Sequence, residues 1–344
     1  MKKYILFLSL LTAATITKAQ SSDKEPYITK SLGSENIQQA EVQTSGGSIT
    51  VTGVNTDAKI EVYVTGNNSL TGLSKDEIKS RLEEYYTLNI SVSNNKLTAI
   101  AKQKENNMNW KKSLSISFKI YIPGNVSTNL STSGGSIRLN NLKGNQSFRT
   151  SGGSLHIDDV AGKINGRTSG GSIHISNASD EIDLSTSGGS IEATKCKGNL
   201  QLSTSGGSLN LSDLDGTVEA STSGGRIEGS NISGDLSAST SGGSVRLSNI
   251  SGSVEASTSG GSMDVALTAL GKYVKLHNSG GNIDLQLPAG KGLDLDLSGN
   301  KVKVSSLNNF SGNTEEDNIN GKLNGGGTLI KVNASSGTVR LSFK

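Results

Sequence analysis

Residues 186–203 read TSGGSIEATKCKGNLQLS, and residues 204–221 read TSGGSLNLSDLDGTVEAS. The two stretches share an opening tetrapeptide and place apolar residues at the same offsets. Thr-Ser-Gly-Gly begins at Thr132, Thr150, Thr168, Thr186, Thr204, Thr222, Thr240 and Thr258, always 18 residues apart. Another copy begins at Thr44, and a degenerate one, Asn278-Ser279-Gly280-Gly281, follows Thr258 slightly out of period. A fixed period of this length marks a repeat architecture, in which one unit cannot bury its apolar face alone and must stack on its neighbours.

With each repeat numbered from its Thr, position 6 is always aliphatic or Met, as in Ile137, Leu155, Ile191 and Met263. Position 8 (Leu139, Ile157, Leu211) and position 11 (Leu142, Val160, Cys196, Leu214) are mostly apolar too. So are positions 15 and 17, as in Ile182 and Leu184. Polar residues alternate with them. Two short period-2 segments per repeat are strands rather than helices. Asn or Asp at position 10 (Asn141, Asp159, Asn177, Asp213) and Gly at position 13 (Gly144, Gly162, Gly216) are the residue types that accept left-handed backbone. Gly at positions 3 and 4 makes a further corner, where at least one glycine of each pair is expected to need positive φ. The corner also recurs in register on both neighbouring coils, so an added side chain would meet its stacked neighbours.

Three corners per repeat let each repeat close one coil. The expected fold class is all-β: a single parallel β-solenoid (β-helix) of 18-residue coils with Gly-Gly corners, plus a small helix/strand insertion near the N-terminus. Right-handed winding is favoured because parallel crossover connections prefer that hand.

Around the repeats, residues 1–19 read as a signal peptide, with Lys2 and Lys3, an apolar run from Ile5 to Leu11, and a Thr17-Lys18-Ala19 cleavage site. The mature chain would begin at Gln20, with residues 20–40 as a leading segment and residues 41–344 as the solenoid domain. The regular repeats occupy 132–275, and an insertion at 66–125 interrupts the period. Within it Ser74-Lys75-Asp76-Glu77 is a capping-box pattern opening a helix to about Tyr86. Strand-like runs follow at Leu88–Val92, Leu97–Ala101 and Leu114–Ile122. This bulky piece is expected to cap the open N-terminal end. The stretch from Gly325 to Lys344 alternates again and reads as an irregular last coil or two.

Composition narrows the function classes. Removing Lys2, Lys3 and Lys18 takes the formal charge from +3 to zero, with 30 basic and 30 acidic residues left. A neutral chain of interspersed signs has no electrostatic footprint for nucleic acid or anionic lipid. No apolar stretch after the signal peptide could span a membrane. The one cysteine, Cys196, excludes an intramolecular disulfide and any cysteine metal cluster. It sits at an inward position and reads as a small buried hydrophobe.

The Thr-Ser-Gly-Gly-Ser-Ile strands, the lead-in Ile120-Tyr121-Ile122-Pro123-Gly124 and the later Leu287-Pro288-Ala289-Gly290 resemble the bacterial "putative adhesin" family of β-strand repeat proteins. That family is akin to head domains of autotransporter adhesins. The resemblance covers roughly residues 40–344. It implies a β-solenoid on an exported protein and brings no catalytic residues.

Candidate sites are sparse. His156 and His174 occupy position 7 of adjacent coils with Asp158 on the same outward face, close enough to suggest one metal ion. The plainer reading is a solvated ladder, since Arg138, Glu192 and Asn210 share that column. Trp110, Lys111 and Lys112 form a possible partner-contact cluster. Ser at positions 18 and 2 makes paired outward columns from Ser185 to Ser259. This hydroxyl lattice lacks the outward Thr of an ice-binding solenoid. The acids stand singly, with Asp183 and Glu219 two coils apart around Gln201, unlike the paired carboxylates of glycan-cleaving enzymes. The expectation is therefore no enzyme and no cofactor. The leading reading is an exported, non-catalytic adhesin-like binding or structural scaffold, in the periplasm, on the outer surface or outside the cell. Its partner would be a protein or glycan at the cell envelope. A self-associating envelope protein is the alternative, and a carbohydrate-active β-helix enzyme stands third.

Overall fold

The computed structural model describes residues 25–66, 73–104 and 112–344. The signal-peptide reading therefore lies outside the described residues, as do Trp110 and Lys111. Apart from one helix, Lys75–Tyr85, every regular element described is a strand.

The middle of the molecule is a parallel, solenoid-like stack whose register equals the sequence period. The strand Leu209–Thr222 pairs in parallel with Ile227–Thr240, bringing Leu209 beside Ile227 and Thr222 beside Thr240. The next strand, Val245–Thr258, repeats the same offset. Residues at position 6 therefore stack on one another, and Ile137, Leu155, Ile173, Ile191, Leu209 and Ile227 are all buried. With the buried columns at positions 8, 11, 15 and 17, such as Ile157, Leu142, Ile182 and Leu184, this column forms the core.

The corner residues divide into two kinds. Position 10 takes left-handed backbone in every regular repeat from Asn141 (φ 54°) to Asn249 (φ 56°), and Lys195 does so too (φ 55°). Position 13 likewise has positive φ, as at Gly162 (φ 109°) and Gly216 (φ 128°). The Gly-Gly corner does not, which corrects the expectation. No glycine at position 3 or 4 has positive φ. The requirement there comes from stacking. A Cβ on Gly207 would lie 2.0 Å from the carbonyl oxygen of Gly189, one coil away, and Gly171, Gly189, Gly225 and Gly243 are equally constrained. At position 3 the same test is lenient, since a Cβ on Gly206 would come no closer than 3.5 Å to any atom.

The constant spacing of Thr has a matching cause. Thr204 is buried, and its Oγ1 donates to the Gly189 carbonyl at 2.8 Å while accepting from the Gly207 N–H at 3.3 Å. Thr150, Thr168, Thr186, Thr222 and Thr240 make the same pair of bonds. One inward hydroxyl thus satisfies two backbone groups at a tight, partly dry corner, where leaving either unpaired would be costly. In the degenerate copy the Asn278 amide does both jobs. Its Nδ2 donates to the Gly261 carbonyl at 2.7 Å and its Oδ1 accepts from the Gly281 N–H at 3.0 Å.

Both ends depart from the sequence order. The strands Gln39–Thr44 and Ile49–Gly53 form a coil that stacks on residues 127–140. Their other side is covered by Lys96–Gln103 and Leu114–Ile122, again in parallel. The insertion therefore contributes a coil of its own. Its helix starts at the expected cap, where Ser74 Oγ accepts from the Glu77 N–H at 3.2 Å, and it buries Ile78 and Leu82. Beyond that coil lie antiparallel strands, Tyr86–Ser93 on Lys96–Gln103 and Lys59–Gly66 on Leu114–Ile122.

At the other end Thr328–Phe343 is not the last coil, which corrects the second expectation. It lies inside the stack, between residues 273–287 on one side and Leu293–Val304 on the other. Antiparallel strands Asn318–Leu323 and Phe310–Thr314 follow outside.

Candidate functional site

Positions 18, 1 and 2 run outward, inward, outward just before the Gly-Gly corner, so stacking turns them into three parallel columns. Over five consecutive coils, from Ser131 to Ser205, these columns line an open groove of about 680 Å³. The Thr column lies between the walls with its hydroxyls turned inward to the corner carbonyls. The walls are Ser hydroxyls, except at two adjacent positions where position 18 is Arg149 and Arg167.

The two arginines are register partners across a parallel strand pair. Adjacent strands lie about 4.8 Å apart, so two guanidinium groups project into the same part of the groove. Arg149 Nε donates to Ser131 Oγ at 3.3 Å, and no carboxylate stands within ion-pair distance of it among the described residues. Arg167 lies 3.7 Å from Asp183 Oδ2, with its side chain 65% exposed. Asp183 itself accepts from Asn165 Nδ2 at 2.7 Å, which holds its carboxylate beside the arginine. This end of the groove therefore has more positive charge than its acids offset.

On another face, position 7 forms the ladder the sequence suggested. The His156 and His174 rings stack with centroids 5.2 Å apart and an interplanar angle of 7°. Burial, reinforced by Arg138 and His174, pushes the His156 pKa down. His174 Nδ1 lies 3.1 Å from Glu192 Oε2. Asp158 is engaged elsewhere. It accepts from Ser176 Oγ (2.7 Å), Asn177 Nδ2 (2.9 Å) and Asn140 Nδ2 (3.2 Å), and these bonds hold its carboxyl below the usual range. The structure thus brings the histidines together, while Asp158 is hydrogen-bonded to Ser176, Asn177 and Asn140. No cluster of three or more His, Cys, Asp or Glu side chains is placed to hold a metal among the described residues.

Further along this ladder, Glu192, Asn210, Glu228 and Arg246 border a hollow of about 470 Å³ over Gly229. Here the charges neutralise each other: Glu228 lies 3.2 Å from Arg226 and 3.8 Å from Arg246. Cys196 is fully buried, and burial pushes its thiol pKa up, away from the reactive thiolate. Lys112, the described member of the proposed contact cluster, is exposed and donates to the Tyr85 hydroxyl at 3.3 Å. The groove arginines were not singled out from the sequence. The available signal was a charged pair at a position that is Ser in the next five repeats, from Ser185 to Ser257.

No family model matches the chain, and no curated protein matches it. Among solved structures it is similar to a "putative cell adhesion protein" from Clostridium sporogenes at 14% identity and TM-score 0.18, covering 92% of this chain and 98% of that one. It is also similar to a "putative adhesin" from Bacteroides fragilis at 13% identity and TM-score 0.23, covering 91% and 96%. No helix among the described residues is long and apolar enough to cross a membrane.

Proposed function

We propose that the mature chain is an exported, non-catalytic, adhesin-like scaffold. It presents repeated polar ladders to a protein or glycan at the cell envelope or surface, after removal of residues 1–19. Right-handed winding belongs to the same reading, from the preferred hand of parallel crossovers. The observation that carries the proposal is the groove. It is the product of five equivalent turns in register, its walls are polar, and its side chains project from paired strands that cannot shift independently. A surface of this kind suits recognition by many weak, evenly spaced hydrogen bonds.

The test is binding of the purified, labelled protein to a panel of envelope glycans and to whole cells. Ser187→Trp with Ser205→Trp should obstruct the groove and abolish binding. Asp235→Trp, at an exposed position away from the groove lining, should leave it intact. Equal binding by all three proteins would exclude the groove as the recognition surface.

The self-association alternative rests on the strand Tyr86–Ser93, which among the described residues is paired on only one side. An unpaired edge of this length is a template for another strand. That reading expects concentration-dependent assembly in sedimentation experiments, and a monomer at all concentrations would remove it.

A further inference from the structure

We infer that the groove takes an extended acidic polysaccharide, whose carboxylate or sulfate groups seat on Arg149 and Arg167 and whose hydroxyls bond the Ser columns. This deepens the scaffold reading and rests on it. The first observation is the composition of the lining, which is Ser, Thr and Arg throughout. A serine hydroxyl is both donor and acceptor, as is a sugar hydroxyl, so the two surfaces can pair in either direction. A peptide in a groove draws specificity from pockets for its side chains, and no apolar side chain lines this one. A nucleic acid strand would need aromatic platforms and a basic track. The groove has neither, and the mature chain is electrically neutral.

The second observation is the arginine pair. Both side chains point outward, so the apolar core does not require them. The repeats immediately beyond use Ser at the same place, so the fold does not require them either. Two like charges in register repel one another unless an anion lies between or above them. Arg149 has no acidic partner among the described residues, and Arg167 has one at 3.7 Å. The planar guanidinium fork matches the two oxygens of a carboxylate or sulfate. The lining covers four inter-coil steps of about 4.8 Å, roughly 19 Å in all, which favours a chain of several sugars over a single residue.

Isothermal titration calorimetry of the purified protein with four probes decides the matter: oligogalacturonate, dextran sulfate, neutral dextran and polyglutamate. The variant is Arg149→Ser with Arg167→Ser, which installs the residue the other repeats use and is expected to fold normally. At least one acidic glycan should bind, about tenfold or more weakly in the double-Ser variant, and weakly for both proteins at about 1 M salt. Neutral dextran should not bind measurably. The oligogalacturonate and dextran sulfate arms separate carboxylate from sulfate as the preferred group. The inference is overturned if neither acidic glycan binds, if polyglutamate binds as tightly as the better of them, or if the double-Ser variant keeps wild-type affinity. Equal binding of neutral and acidic glycans would also overturn it while leaving the scaffold reading standing. That reading falls separately, if the Trp-obstructed groove still supports adhesion.

Discussion

The middle of the molecule and its two ends solve one problem in different ways. Every strand exposes backbone donors and acceptors along both edges, and every coil exposes the flank of its apolar interior. Between residues 132 and 275 the solution is translation, since the next repeat presents a nearly identical edge. At the ends there is no next repeat. The chain instead returns from elsewhere, with Lys96–Gln103 and Leu114–Ile122 covering the coil at 39–53 and residues 293–304 covering Thr328–Phe343. Antiparallel strands then follow. The same corner bond shows the contrast. Thr150 reaches the Gly135 carbonyl 15 residues back, while Thr132 reaches the Gly47 carbonyl 85 residues back. Local geometry is the same in both, but only the first could be foreseen from the period. The repeat is a rule about neighbours, and an end is defined by lacking one.

The sharpest way to break this comparison is at the corner glycines. Gly207→Ala should destabilise by about 3 kcal/mol or more, because its Cβ would overlap the Gly189 carbonyl and backbone cannot yield as a side chain can. Gly206→Ala should cost less than about 1 kcal/mol. Gly290, at the C-terminal end, has φ 73° and open space around it. Its Ala variant should fall between the two, at roughly 1–2 kcal/mol from backbone strain alone. Urea denaturation of the three variants measures the order, and equal midpoints for Gly206→Ala and Gly207→Ala would contradict close coil stacking.

A smaller effect is expected from the corner hydroxyl. Thr204→Val removes one donor and one acceptor from a buried corner, at a cost of about 1–3 kcal/mol. If the Asn278 amide is an equivalent device at the edge of the regular array, Asn278→Leu should cost a similar amount and Asn278→Thr clearly less. A silent Asn278→Leu would mean that the ends tolerate unpaired corners and the middle does not.

The smallest effect has the opposite sign. Lys195 alone among the regular repeats puts a long side chain at the left-handed position where its counterparts are Asn or Asp. Lys195→Asn should raise stability by about 0.5–1 kcal/mol, since Asn enters that region at lower cost. An unchanged or lower melting temperature would show that Lys195 makes a compensating contact.

Much of this was legible in the sequence because a period leaves little freedom. Once Thr186 and Thr204 are equivalent, the burial of Ile191 and Leu209, the exposure of Glu192 and Asn210, and the bends at Lys195 and Asp213 follow together. For the corner glycines the sequence suggests two causes, positive φ and the stacked neighbour, and only the second holds. Positive φ is the usual cause of a required glycine. Here the cause is an atom on the neighbouring coil, and intrinsic backbone preference carries no trace of it. The groove was hidden for a similar reason. Arg149 and Arg167 look like ordinary outward substitutions until the columns at positions 18 and 2 are seen to face each other across a concavity.

By itself, then, the amino-acid sequence determined the all-β class, the repeat register, the inward and outward columns and the place of the helix. Each of these depends on periodicity and on residue-level conformational preference. The tertiary structure alone decided the order of coils at the two ends, the absence of positive φ at the Gly-Gly corner and the concavity between the columns at positions 18 and 2. The first depends on which distant segments share an edge, and every strand edge offers the same backbone donors and acceptors, so the local sequence does not say which partner takes it.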